Sequence, residues 1–174
     1  GVVGFLVTWQ LVPMLGILDE RYLPTASTTL GRLFEYVLDL EFWRNVRRTL
    51  TAWAIGLTIA TVLATALGTI VGMVPFLRRA THSTVEFLRP IPSVALIPLA
   101  ILLYGIQMPA ALVIIVYASF WQLFIQVLYG VADIDTVARD TALSFGLPRH
   151  HRLRYLVLPT ALPYFMTGIR LAAA

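Results

Sequence analysis

The side chains best suited to bind a metal or move a proton are three histidines, His82, His150 and His151. Each lies in an arginine-rich stretch, and we expect none to have the acidic partner four residues on that a metal motif such as HExxH would supply. We therefore predict no metal site and no catalytic residue. His150 and His151 are expected to contact a partner protein or lipid headgroups.

Two residue types that carry covalent chemistry are missing from the sequence. It has no cysteine, which excludes disulfides, thiolate metal sites and thiol nucleophiles. It also has no lysine, because all thirteen basic residues are arginine. A GxxxxGK phosphate-binding loop and a lysine Schiff base are therefore excluded. We predict that the chain is not an enzyme and binds no cofactor of its own.

The composition is that of a membrane protein. Hydrophobic residues make up 59% of the 174 residues, charged residues 13%, and the mean hydropathy is +0.81. Soluble domains average about 25% charged residues. This predicts an all-α, polytopic membrane helix bundle, forming a single transmembrane domain over residues 1–174. Both ends lie in apolar runs and are expected to be truncated. The net charge of +4 indicates no nucleic-acid binding, because the arginines flank apolar runs.

About five membrane spans are predicted from the uncharged runs. No charge occurs between positions 90 and 132, a length of roughly 64 Å as one helix, so this run must fold back. Gly105 and Pro109 are the helix breakers near its middle. The predicted spans cover residues 1–18, 50–77, 94–104 with flanking turns, 110–129, and the run from 155 onward.

Residues 25–48 are predicted to form an external amphipathic segment, because Leu30, Leu33 and Phe34 share one helical face. A helix packed on another soluble domain is the alternative. The loops at 78–89 and 133–155 are rich in arginine and are expected in the cytoplasm, whereas the turn at 105–109 has none and is expected outside. Gly68 and Gly72 form a GxxxG pair, which is either a helix contact or chance.

The stretch from Asp140 to Pro159 combines four arginines from position 139 onward with a predicted short helix that stops at Gly146 and Pro148. Its spacing resembles the signature loop of ABC-transporter permeases, which reads Glu-Ala-Ala, three residues, Gly, nine residues, Ile, one residue, Leu-Pro. An ordinary cytoplasmic loop is the alternative. Asp and Thr replace the family's Glu and first Ala. The matching residues are Asp140, Thr141, Ala142, Gly146, Leu156, Leu158 and Pro159.

Two further segments are similar to the permease subgroup that imports nitrate, taurine and aliphatic sulfonates. One is EFLRPIPSVALIPLAILLYGI, at 86–106, and the other is YLPTASTTL, which begins at Tyr22. The resemblance thus covers nearly the whole chain. It implies the type I ABC importer transmembrane fold, with six spans in the full protein.

The resemblance also implies a function and partners. Residues 133–155 would be a cytoplasmic coupling loop that docks on an ABC ATPase subunit. A second permease copy, two ATPase subunits carrying ATP and Mg, and a periplasmic or lipid-anchored substrate-binding protein would complete an importer in the bacterial inner membrane. The solute would be a small anion of the sulfonate, taurine or nitrate type. A permease for a vitamin or pyrimidine precursor, or a non-transporting membrane anchor, is the alternative.

Arg170 is the one charge expected deep inside a span. If the last helix enters the membrane near Leu158, Arg170 lies about 18 Å along it. A charge at that depth faces the bundle interior or a water-filled path. We favour a role in holding the bundle together over contact with an anionic solute. A membrane enzyme or a secondary carrier would show clustered or paired acidic residues in the spans, and none is present.

Overall fold

The computed structural model describes all residues from 1 to 174, and every regular element in it is a helix. The predicted all-α class is therefore confirmed. The chain divides into two compact units, Gly1–Leu50 and Thr51–Ala174. Helix α3 (Leu40–Met73) contains the boundary between them.

The first unit contains α1 (Val2–Met14) and α2 (Ala26–Leu38). A reciprocal pair of hydrogen bonds joins them: Gln10 Nε2 donates to Ser27 Oγ at 3.1 Å, and the Ser27 N–H donates to Gln10 Oε1 at 2.9 Å. The Trp9 indole N–H also donates to the Pro24 carbonyl at 3.0 Å. These bonds satisfy the polar groups of an otherwise apolar α1.

Two predictions in this unit change. The expected span over 1–18 is a helix of 13 residues, shorter than the roughly 20 residues that cross a bilayer. The amphipathic helix expected over 25–48 ends at Leu38, and the chain from Leu40 onward already belongs to α3. The break falls at Asp39, whose extended backbone interrupts the helical run and whose carboxylate accepts from the Glu41 N–H at 2.9 Å.

The second unit is built around a long apolar helix, α6. After the rest of α3 its elements are α4 (Pro75–Leu88), a 3-10 turn (Ser93–Leu96), α5 (Ile97–Tyr104), α6 (Met108–Ala132), α7 (Thr136–Ser144), α8 (Arg149–Arg152), a π-helical segment (Leu153–Val157) and α9 (Leu158–Ala173). Gly105 has a φ of 68° and ends α5, so the predicted break over 105–109 is confirmed.

The number of candidate spans is smaller than the five predicted. Three helical runs are long and apolar enough to cross a membrane: Leu40–Met73, Met108–Ala132 and Arg149–Ala173. A fourth forms if α4 and the run Ser93–Tyr104, which meet at 77°, make one broken span. The predicted span over 50–77 is also shifted, because α3 begins at Leu40 and ends at Met73, just before Pro75 starts α4.

The segment predicted as a basic loop over 78–89 is mostly helical. Pro75 occupies the first turn of α4, where its missing N–H is not needed. At the other end of α4, the Leu88 carbonyl accepts a hydrogen bond of 2.7 Å from the Tyr117 hydroxyl. Tyr117 lies in the first half of α6, so α4 folds back along the bundle. Arg89 therefore lies beyond the far end of α4, and it does not share a loop with the residues at the start of that helix.

Small residues let α3 approach α6 closely. The buried residues of α3 recur at every fourth position, and all are Ala or Gly: Ala52, Gly56, Ala60, Ala64 and Gly68. Gly56 faces Ile115, Gly68 faces Val127, and Gly72 faces Val131. In these three pairs the residue number rises along α3 and along α6 together, so the two helices run parallel. The GxxxG pair at 68 and 72 is thus part of a helix contact.

On another face of α6, α9 packs in the opposite direction. Gly130 faces Ala161, Gly168 faces Leu123, and Ser119 Oγ donates to the Ala172 carbonyl at 3.0 Å. Leu123 has no exposed surface. The helix α6 is thus the centre of the core. The ends of α3 and α6 and the start of α9 lie close together, near residues 72–78 and 131–157.

Candidate coupling site

The loop that follows α6 contains a well-formed short helix, α7. Asp135 caps its start, because its Oδ1 accepts hydrogen bonds from the N–H groups of Val137 at 2.7 Å and Ala138 at 3.1 Å. A side-chain acceptor at this position satisfies backbone donors that have no partner inside the helix. Asp140 lies in the middle of α7, so Asp135 carries the capping role.

Gly146 ends α7 by a Schellman motif. The Leu147 N–H donates to the Ala142 carbonyl at 3.0 Å, and the Gly146 N–H donates to the Leu143 carbonyl at 2.9 Å. This pattern requires a left-handed residue after the helix, and Gly146 has a φ of 65°. The predicted helix end is confirmed. In a Schellman motif the left-handed residue lies four positions after the first residue whose carbonyl is bonded, and Gly146 lies four positions after Ala142.

The last three residues of the matched spacing mark a change of helix type. Leu156 lies in the π-helical segment, and Leu158 and Pro159 open α9. Pro159 has no N–H to donate backward, so the ladder of hydrogen bonds is already interrupted where the wider π turn occurs. The helix nevertheless continues, and Arg149–Ala173 forms one candidate span.

The predicted coupling residues form two groups rather than one cluster. Asp140, Thr141 and Gly146 are exposed on α7 and its end, and Ala142 is half-buried. Leu156, Leu158 and Pro159 follow α8 in the chain, at the start of the last candidate span. The exposed part of α7 is thus a short helical segment between two candidate spans, capped by Asp135 and ended by Gly146. Such a segment can dock on another protein.

Histidine chemistry differs from the prediction at one position. The expectation that no histidine has an acidic partner four residues on is wrong for His82, whose Nδ1 lies 3.5 Å from Glu86 Oε2. The pair is exposed on α4. A metal site would need a third ligand, and no group of three or more His, Asp or Glu side chains comes together in residues 1–174. The rings of His150 and His151 are tilted by 40° relative to each other, with centroids 4.3 Å apart.

Arg170 lies at the level of the middle of α6. The neighbours Gly168 and Ala172 contact Leu123 and Ser119, which are both central in that helix. The side chain of Arg170 is exposed in this chain and forms neither an ion pair nor a hydrogen bond with it.

Sequence reasoning missed Arg89 as a second charge at a similar level. It directly follows Leu88, whose carbonyl is bound by Tyr117, and Tyr117 is two residues from Ser119. Arg89 is also exposed. The signal was present in the sequence, because Arg89 directly precedes the proline-rich start of an uncharged run. Without the fold-back of α4, it could not be distinguished from a loop residue.

A polar contact between α6 and α9 was also missed. The Tyr164 hydroxyl donates to Asp133 Oδ2 at 2.8 Å, joining α9 to the end of α6. It holds the base of the α7 loop against the last candidate span. Neither residue stands in a recognisable motif, and only the antiparallel packing of α6 and α9 brings them together.

Residues 64–174 match the family described as "Binding-protein-dependent transport system inner membrane component". The taurine transport system permease protein TauC of Escherichia coli is 28% identical over 98% of this chain. The bicarbonate transport system permease protein CmpB of Synechococcus elongatus is 30% identical over 99% of it. The putative aliphatic sulfonates transport permease protein SsuC of Escherichia coli is 30% identical over 98%.

The chain spans 64% of the length of TauC and 65% of the lengths of CmpB and SsuC. The similarity to these three proteins extends over the first unit as well as the second. The helical structure with several candidate spans agrees with a multi-pass membrane protein. The chain belongs to the family of binding-protein-dependent transport system inner membrane components.

Proposed function

We propose that this chain is the permease subunit of an ABC importer, and that α7 is the coupling helix through which an ATPase subunit moves the bundle. The observation that carries this proposal is the exposed helix Thr136–Ser144, capped by Asp135 and ended by Gly146, between two candidate spans. A short helix with fixed ends transmits a push as a rigid body, whereas a flexible loop would absorb it.

ATP chemistry in this proposal belongs to the partners. These 174 residues contain no lysine and so no GxxxxGK loop, and in this proposal two ATPase subunits bind ATP and Mg. A second permease copy completes the path, and a substrate-binding protein delivers the solute from outside. Closure of the ATPase pair draws the two coupling helices together, and the path switches between inward-open and outward-open packings.

The solute that we propose is a small anion. TauC, CmpB and SsuC are named for taurine, bicarbonate and aliphatic sulfonates, which are all small and polar. Arg89 and Arg170 support this class. Arg89 follows Leu88, and Arg170 lies two residues before Ala172; the carbonyls of Leu88 and Ala172 accept hydrogen bonds from the middle of α6. Both arginines are exposed. A charge at that depth is costly unless it faces water, another charge or a ligand.

The test replaces Gly146 with leucine in the assembled transporter. A Cβ at Gly146 would meet nothing within 4 Å, so the effect would come from the left-handed backbone, at about 1 kcal/mol, and from bulk at the docking surface. We expect Gly146→Leu to lose stimulation of ATP hydrolysis by the loaded binding protein, together with transport. The permease itself should purify with unchanged yield.

Gly105→Leu is the matched control. Gly105 has a φ of 68° and equally open surroundings, but it lies in the turn before α6. Its ψ of −172° makes a conformation that almost only glycine adopts, so the backbone strain in this variant is at least as large, and stimulated hydrolysis should be kept. Full stimulation and transport in Gly146→Leu would contradict the coupling assignment. An equal loss of stimulated hydrolysis in both variants would show that backbone strain alone explains the effect of Gly146→Leu.

A further inference from the structure

Four arginines converge on one cavity at the end of the bundle where α3 and α6 stop and α8 begins. The cavity has a volume of about 460 Å³. Arg78 comes from α4, Arg139 from α7, and Arg149 and Arg152 from α8, so three separate segments contribute charge. The remaining wall is largely apolar and includes Val74, Val131 and Val157.

No carboxylate balances these charges. No aspartate or glutamate lines the cavity, and none of the four arginines forms an ion pair within the chain. Of the acidic residues close to Arg139 in the chain, Asp133 accepts from Tyr164 and Asp135 caps α7, and the exposed Asp140 does not line the cavity. Four like charges around one space repel one another, and an anion would relieve that repulsion.

Arg152 adds an unsatisfied donor to this arrangement. Its Nε is buried and has no hydrogen-bond partner. Buried donors in folded proteins are almost always paired, so an acceptor supplied from outside the chain is expected here. Guanidinium groups hold phosphate oxygens through paired, charge-assisted hydrogen bonds, and four of them favour that group over a simple carboxylate.

We infer that this cavity binds the phosphate of an anionic membrane phospholipid. Its position at the ends of three candidate spans places it at the boundary between the bilayer and water. A volume of about 460 Å³ is sufficient for a headgroup phosphate with its glycerol, and the valines match the first carbons of the acyl chains. Basic pockets between spans at the cytoplasmic side are suited to such headgroups. The inference is independent of the transported solute.

The experiment uses the full-length permease, purified in detergent and stripped of lipid. Phosphatidylglycerol is titrated in, and binding is followed by native mass spectrometry and by the rise in Tm. Arg78→Gln and Arg149→Gln remove exposed side chains that line the cavity, so neither should disturb folding. We expect each to weaken phosphatidylglycerol binding about fivefold, because each basic residue near an anionic lipid contributes a comparable share of the attraction.

Neighbouring arginines outside the cavity supply the matched controls. Arg79→Gln removes an exposed charge from α4, and Arg154→Gln removes one from the π-helical segment that follows α8. Neither residue lines the cavity, and both variants should bind phosphatidylglycerol as the unmodified permease does. Equal weakening in all four variants would overturn the site in favour of general surface attraction, and so would no weakening in any of them.

Two further arms separate the sources of the anion. Inorganic phosphate that raises Tm as much as phosphatidylglycerol, and displaces it, would show a site for a free anion and overturn the lipid assignment. Purified ATPase subunit that displaces the lipid, with Arg78→Gln and Arg149→Gln losing the ATPase, would show an acidic protein surface as the ligand. Lipid retained in the complex with the ATPase supports the inference.

Discussion

A Cβ atom placed on Gly68 of α3 would stand 3.0 Å from the Cγ1 atom of Val127 on α6 and 3.1 Å from its Cβ. These distances are shorter than ordinary van der Waals contact, and the Phe124 carbonyl oxygen is only 3.3 Å away. Helices in membranes associate mainly by such close packing, because lipid offers no hydrophobic drive between them. Gly68 therefore allows the parallel contact of α3 and α6.

Substitution of Gly68 with leucine should destabilise the bundle. The added side chain has no space beside Val127, and overpacking of this kind costs about 1–3 kcal/mol. We expect purified Gly68→Leu permease to melt at a lower temperature and to be recovered in lower yield. Ala66→Leu is the control, because Ala66 is exposed on the same helix and should tolerate the larger side chain. Equal Tm values for the two variants would contradict the packing assignment.

The topology can be tested by labelling, because the chain has no cysteine of its own. A cysteine replacing Gln107, which is exposed before α6, should react with an impermeant thiol reagent added to whole cells. A cysteine replacing His150, which is exposed on α8, should react only after the cells are opened. Labelling in the reverse order would place the arginine-rich end outside.

The cap at Asp135 makes a separate prediction for α7. Asp135→Ala removes the acceptor for two backbone N–H groups, which costs about 1 kcal/mol. Hydrogen exchange in 136–144 should then be about fivefold faster. Asp135→Asn should keep most of the protection, and Asp140→Asn should change it little, because Asp140 lies in the middle of α7. Unchanged exchange in Asp135→Ala would show that the cap does not hold the helix.

Arg170 distinguishes a path from a structural role. Because its side chain forms no bond within the chain, Arg170→Ala should leave the yield and Tm of the permease unchanged. If it meets an anionic solute, transport should fall at least tenfold, the scale of one lost charge contact of about 1.4 kcal/mol. Arg170→Lys should recover part of the transport. A lower Tm, or loss of the second permease copy, would support the structural role instead.

The sequence by itself determined the helical class, the membrane environment and the end of α7. Long uncharged runs must form helices in a bilayer, because no water is available for unpaired backbone groups. The turn at Gly105 and the Schellman motif at Gly146 are local as well, since each depends on the backbone of a few consecutive residues. These features are therefore legible in composition and spacing.

Only the tertiary structure decided how these helices combine. The fold-back of α4 moved Arg89 from a predicted loop to the side of Tyr117, and it makes α4 with the run Ser93–Tyr104 a candidate for one broken span. The cavity with Arg78 and Arg152 joins segments that are far apart in the chain. Such contacts depend on which faces of the helices pack together. Apolar runs with a similar composition on every side do not specify those faces, and here the close packing of the small residues of α3 on α6 does.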